Sequence, residues 1–323
     1  MHRAADDAHG REVAVKILAR IHDDSARRRF DRERRAMGIL SGHPTIGIVY
    51  TSGFTANQEP YIVMEMIRGG SLADRLAREG PLPAADVVGL GATLAEALHH
   101  AHEGGVLHLD LKPENILISR FGQPKIVDFG IAALVDDESV TSTIRATPSY
   151  ADPQVLDGKP GTEQSDVYGL AATLFTLLDG SPPYSGEPSG LYRVMQRVAL
   201  DPVPRIERSD VSPELADLLH RAMAKDAADR PESMGEFAHL LHEVDAEPVT
   251  RSRAKRRRVD RSSVTPPAPD RQSPDQQSPA GATPRVDEDS GAVDDWPGEG
   301  ERPRLPGAVD QSNPVPIVDP TPP

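Results

Sequence analysis

Apolar residues alternate with polar ones early in the chain and recur at helical spacing later. Arg11 to Leu18 alternates and is rich in β-branched residues, which predicts a strand entered from a turn at Gly10. Ser25 to Leu40 reads as a charged helix with Phe30, Met37 and Leu40 facing inward, stopped by Ser41 to Pro44. Ile46 to Gly53 and Pro60 to Ile67 read as two further strands joined by a turn at Asn57 to Glu59. Ser71 then caps a short helix, and Pro83 opens a longer one whose Val87, Leu90, Leu94 and Leu98 share a face. That helix stops at Gly104 and Gly105. Two short strands follow, Ile116 to Ile118 and Lys125 to Val127, around a polar turn at Arg120 to Pro124. An apolar helix begins at Ser165, and a final one turns Met234, Phe237, Leu240 and Leu241 inward. Strands with one helix, then mostly helices, predict an α+β class: a small sheet-rich lobe, a larger helical lobe and a cleft between them.

Composition limits where that fold extends. Residues 251–323 hold 14 of the 31 prolines and a single aromatic, Trp296. Such a segment buries too little apolar surface to offset the entropy of ordering. The fold is therefore expected over residues 1–248, and a disordered tail over 249–323. The tail opens on a basic run, Arg251 to Arg258, which reads as a solvated tether despite its affinity for anionic surfaces. Its Pro-rich remainder is of a composition that binds partners in extended form.

Charge and cysteine content exclude several functions. A net charge of −14 argues against general nucleic-acid binding, and zero cysteines exclude disulfides and thiolate metal sites. The longest apolar run, Leu170 to Leu178, falls far short of the ~20 residues needed to cross a bilayer. Met1 to Arg11 is polar, without the apolar core of a signal peptide. These features predict a cytoplasmic protein.

The chemistry is concentrated in one stretch. His108 to Asn115 carries Asp110, Lys112 and Asn115, and Asp128, Phe129 and Gly130 follow on the far side of the two short strands. Phosphoryl transfer offers little covalent chemistry to assist, so it needs placed oxygens for a metal ion and an acceptor for the incoming hydroxyl proton. These four polar groups make that set.

The stretch resembles the catalytic loop and metal-binding motif of protein kinases, of the bacterial serine/threonine type that is similar to the eukaryotic one. Val13 to Lys16 resembles the strand whose lysine grips the α- and β-phosphates, and Glu33 resembles the helix glutamate that pairs with that lysine. The resemblance, which runs from about residue 1 to residue 244, implies a bilobal fold divided near residue 67 (1–67 and 68–248). It implies Asp110 as proton acceptor, Lys112 as charge neutraliser, and Asn115 and Asp128 as ligands of Mg2+. Met64 falls at the gatekeeper position, and Ala14, Glu65, Ile67 and Leu117 are implied beside the nucleotide. Asp166 is implied to hold the backbone of the catalytic loop. The implied activity is ATP-dependent phosphorylation of protein serine and threonine hydroxyls. A catalytically impaired kinase-fold binding or scaffold protein is the alternative, and a small-molecule phosphotransferase a third reading. Ser139, Thr141, Ser142 and Thr143 read as solvated loop hydroxyls, with autophosphorylation open to them.

Three departures from the family pattern bear on activity. Only fifteen residues precede Lys16, with no Gly-x-Gly-x-x-Gly near it, so the small lobe is expected to be N-terminally incomplete and its glycine-rich segment to be encoded upstream. His2 to Asp6 resembles the end of the strand that follows that loop. Leu109 stands where most members have the arginine that pairs with a phosphorylated activation segment, and leucine cannot do so. Gln154 replaces the glutamate that pairs with the arginine matched by Arg230, which leaves Arg230 underpaired at a cost of order 1–3 kcal/mol unless Asp152 turns toward it.

Overall fold

A computed structural model describes residues 1–18, 42–129, 148–186 and 190–246, together with Arg27, Phe30, Gly38 and Leu40. Most of the helix expected over Ser25 to Leu40, including Glu33 and Met37, lies outside the described residues, as do Gly130, the hydroxyl-rich segment and the tail. Arg27, Phe30, Gly38 and Leu40 are helical, and Phe30 and Leu40 are buried.

The alternating segments form a four-stranded antiparallel sheet. Its strands are β1 (His2–Asp6), β2 (Arg11–Ile17), β3 (Val49–Phe54) and β4 (Pro60–Glu65), in the order β1-β2-β4-β3. Side chains alternate across a strand, so Ala14, Ile62 and Met64 pack on one face with Leu18 and Phe30. Val13, Val15 and Val63 pack on the other. Lys16 shares the face of Ala14. Phe30 meets Phe54 edge-on, ring centroids 5.3 Å apart, tying the helical segment to that face.

β3 begins at Val49, later than the alternation predicts. Ile46 instead bridges Ile126 in parallel, with Ile126 N–H donating to Thr45 O and Gly47 N–H to Ile126 O, each at 2.8 Å. The second sheet therefore claims these backbone groups. That sheet is a hairpin of β5 (Ile116–Ile118) and β6 (Pro124–Ile126).

Seven helices follow β4 among the described residues: α1 (Leu72–Glu79), α2 (Ala84–Glu103), α3 (Pro153–Leu156), α4 (Glu163–Asp179), α5 (Leu191–Leu200), α6 (Pro213–Ala222) and α7 (Met234–Ala246). Ser71 caps α1 reciprocally with Asp74. α4 is buried without interruption from Ser165 to Leu178, as befits a helix apolar on every side. Its Thr173 and Thr176 satisfy their hydroxyls on the carbonyls of Gly169 and Ala172, at 2.8 Å each. α2, α6 and α7 surround it, with Leu94, Leu98, Leu219, Met234 and Phe237 in a common core. Each such fully buried side chain contributes about 1.5–3 kcal/mol. Among the described residues no helix is long and apolar enough to cross a membrane.

Candidate active site

The catalytic-loop candidates sit between α2 and β5 and are held from below by α4. Asp166, in the first turn of α4, is 1% exposed and accepts three hydrogen bonds. His108 N–H donates to its Oδ2 at 2.8 Å, Leu109 N–H to its Oδ1 at 2.7 Å, and His102 Nε2 lies 2.8 Å from Oδ2. His108 is wholly buried. Asp110 N–H donates to His108 Nδ1 at 3.2 Å, which assigns the ring proton to Nε2, 3.0 Å from Val127 O. One imidazole thus joins the catalytic loop to the segment carrying Asp128.

Beyond that anchor, three polar side chains converge. Lys112 Nζ donates to both carboxylate oxygens of Asp110 at 2.8 Å. Asn115 Nδ2 donates to Asp110 O at 2.7 Å and to Asp110 Oδ2 at 2.9 Å, and Oδ1 takes no part in these bonds. Asn115 O accepts from Val127 N–H at 3.0 Å, so the two loops run side by side.

Asp128 has φ +67°, a left-handed conformation that a non-glycine residue holds only where its surroundings impose it. Its Oδ2 lies 2.8 Å from Lys16 Nζ, whereas Oδ1 is buried with no hydrogen-bond partner among the described residues. A solitary buried carboxylate oxygen is costly unless a cation or donor meets it.

The remaining candidates line the edge of the cleft. Ala14 lies opposite Met64 in the β2–β4 register and is buried against it. Glu65 N–H donates to Ile48 O at 2.8 Å, and its carboxylate lies 3.3 Å from Lys125 Nζ. Ile67 follows β4, and its N–H meets no backbone acceptor among the described residues. Leu117 bridges Ser71, and Gly69 N–H donates to Ile118 O at 3.0 Å. A Cβ on Gly69 would sit 2.2 Å from that same oxygen, so this approach of the segment after β4 to β5 requires glycine. An apolar recess lined by Leu40, Ile46, Val49, Ile62, Met64 and Phe129 lies behind Asp128.

The protein kinase domain family matches residues 1–242. The chain belongs to that family. Serine/threonine-protein kinase PknK of Mycobacterium tuberculosis is 39% identical over 247 residues, covering 76% of this chain and 22% of its own length. Probable serine/threonine-protein kinase CE0033 of Corynebacterium efficiens is 37% identical over 272 residues, covering 80% of this chain and 41% of its own. Serine/threonine-protein kinase PknB of Mycobacterium leprae is 36% identical over 258 residues, covering 77% of this chain and 41% of its own. The chain thus corresponds to between about a fifth and two fifths of these relatives' length.

In this kinase domain Arg230 is not underpaired: of the two outcomes that Gln154 left open, the structure has the one in which Asp152 serves it. Asp152, the N-cap of α3, turns inward and takes both arms of the guanidinium, Nη2 to Oδ1 at 2.8 Å and Nη1 to Oδ2 at 2.9 Å. Ser165 Oγ donates to Asp152 Oδ2 at 2.7 Å, and Gln154 N–H to Oδ1 at 2.9 Å. Burial opposes ionisation of Asp152, but the Arg230 bonds and charge, with Ser165 and Gln154, outweigh it and hold the carboxyl below its usual value. Position 154 loses its carboxylate and position 152 supplies one.

Asp110, Lys112 and Asn115 are brought together, and Lys16 meets Asp128. Glu33 lies outside the described residues. The pattern missed His102, whose only signal is a polar side chain at helical spacing from Leu94 and Leu98 on a buried face. It also missed Lys125 as the partner of Glu65, since alternation does not say which lysine on an edge reaches a carboxylate.

Proposed function

We propose that the domain transfers the γ-phosphoryl group of ATP to serine and threonine hydroxyls of proteins. The observation that carries this reading is the buried Oδ1 of Asp128, without a hydrogen-bond partner among the described residues, held beside Lys16 while Asp110, Lys112 and Asn115 converge on the adjoining loop. Asp110 accepts the proton of the attacking hydroxyl and orients its oxygen. Lys112 spreads positive charge over the moving phosphoryl group, and Lys16 holds the phosphates behind it. Ala14 and Leu117 enclose the base from two sides, while Glu65 and Ile67 offer backbone groups to its edge.

Asn115 Oδ1 and Asp128 Oδ1 are oxygen donors suited to Mg2+, which would neutralise phosphate charge between them. Among the described residues no group of three or more His, Cys, Asp or Glu forms a self-sufficient metal site. An Mg2+ ion held by these two side chains would take its remaining ligands from phosphate and water. Residues 1–248 form the catalytic unit, 249–323 a tail, and the protein works in the cytoplasm.

The test is transfer of labelled γ-phosphate to a generic protein substrate with Mg2+, comparing the chain with Asp110→Asn and Asp128→Ala. Transfer by the chain and not by the variants supports the reading. A folded chain that binds ATP without transfer overturns it in favour of a kinase-fold scaffold.

A further inference from the structure

Leu109 immediately precedes Asp110 and has φ +60°, a conformation that leucine rarely adopts. It is gripped at two points by a single six-residue stretch. Its N–H donates to Asp166 Oδ1, and its isobutyl group lies flat against Gly161. A Cβ at Gly161 would fall 2.5 Å from Leu109 Cδ2, 2.8 Å from Cδ1 and 3.2 Å from Cγ. Gly161 does not itself have a left-handed φ, so what requires glycine there is this contact.

The stretch is fixed at its other end. Thr162, the N-cap of α4, donates its N–H to Ser165 Oγ at 3.0 Å, and Ser165 Oγ donates to Asp152, the partner of Arg230. Thr162, next to Gly161, is thereby joined to the Asp152–Arg230 pair.

We infer that Gly161 and Leu109 form a positioning contact that holds the left-handed turn at residue 109 and so aims the Asp110 carboxylate. The bonds to Asp166 fix the peptide before Leu109, and the Asp110 N–H bond to His108 Nδ1 fixes the one after it; the side chain against Gly161 braces the Leu109 Cα between them. The inference rests on the phosphotransfer reading of Asp110.

Because the clashing atoms belong to the end of a flexible side chain, Gly161→Ala is expected to displace Leu109 without unfolding the domain. It should lower kcat about tenfold and leave KM for ATP within about twofold, since misaiming a reacting group acts on the chemical step. In a Leu109→Ala background the same substitution should change kcat less than about twofold, because no side chain remains to be displaced. Amide exchange at Leu109 should rise by a similar factor in Gly161→Ala and rise no further when it is added to Leu109→Ala. An equal loss in both backgrounds overturns the inference, as does unchanged exchange in Gly161→Ala. If the unaltered chain transfers no phosphate, the phosphotransfer reading fails and the exchange comparison alone decides whether the contact exists.

Discussion

Arg230 and Asp152, 78 residues apart, form a two-armed ion pair in which the arginine side chain is 0% and the aspartate side chain 3% exposed. Arg230 also donates to the carbonyls of Ala224, Gln164 and Lys225, so its donors are fully engaged. The pair joins the turn before α7 to the N-terminus of α3 and, through Ser165, to α4.

Removing one member strands a buried charge. Asp152→Ala should destabilise the domain by about 3–5 kcal/mol, the usual cost of breaking a buried pair from one side. Gln154→Glu should leave stability nearly unchanged in the unaltered chain and recover part of the loss in Asp152→Ala. Urea unfolding of the four proteins checks this, and a loss under about 1 kcal/mol would show that water reaches Arg230.

Asp152 and Lys225 make stability rise with pH in two separate windows, and two buried tyrosines oppose the second rise. Asp152 has a folded pKa below its ordinary 3.8, so its contribution is present above that value and lost as pH falls through the folded pKa. Lys225 is lowered from 10.5 to about 8, chiefly by burial, with Asp201 opposing and Arg230 assisting. Between those values the unfolded chain binds more protons, so stability from this group rises with pH from about 8 toward 10. Above pH 10 the effect is countered by Tyr150 and Tyr184, both raised to about 12 chiefly by burial. Lys225→Met should flatten the rise between pH 8 and 9.5 in thermal unfolding, whatever it does to absolute stability through its lost bonds to Tyr184 and Val198.

Gly69→Ala should destabilise by about 1–3 kcal/mol, because the atom it would meet is a backbone carbonyl that cannot rotate away. The displaced segment carries Ile67, so the affinity for an adenine nucleotide should fall with stability. Gly80→Ala, where a Cβ meets nothing within 4 Å but φ is +74°, separates the two causes: it should cost stability and leave nucleotide affinity unchanged.

Asp110→Asn should lower kcat roughly 10²- to 10⁴-fold, the range for removing a proton acceptor, while ATP still binds. Asp128→Asn should abolish the Mg2+ dependence of nucleotide binding and also loosen Lys16, its ion-pair partner at 2.8 Å. Calorimetric titration with ATP, with and without Mg2+, distinguishes the two variants.

The sequence by itself determined the order of elements, the class, and the small set Asp110, Lys112 and Asn115. All of these depend on neighbours a few residues apart: alternation for β2 and β4, a capping box at Ser71, helical spacing in α2. Its errors were local too, as at Ile46, where alternation continues but the backbone is already committed to β6. Only the tertiary structure decided which carboxylate serves Arg230, that Asp128 keeps one oxygen buried and without a partner among the described residues, and that Leu109 lies against Gly161. Each depends on the direction of one side chain in a crowded loop, and that direction is set by the packing of α3, α4 and β6, elements whose approach no local pattern encodes.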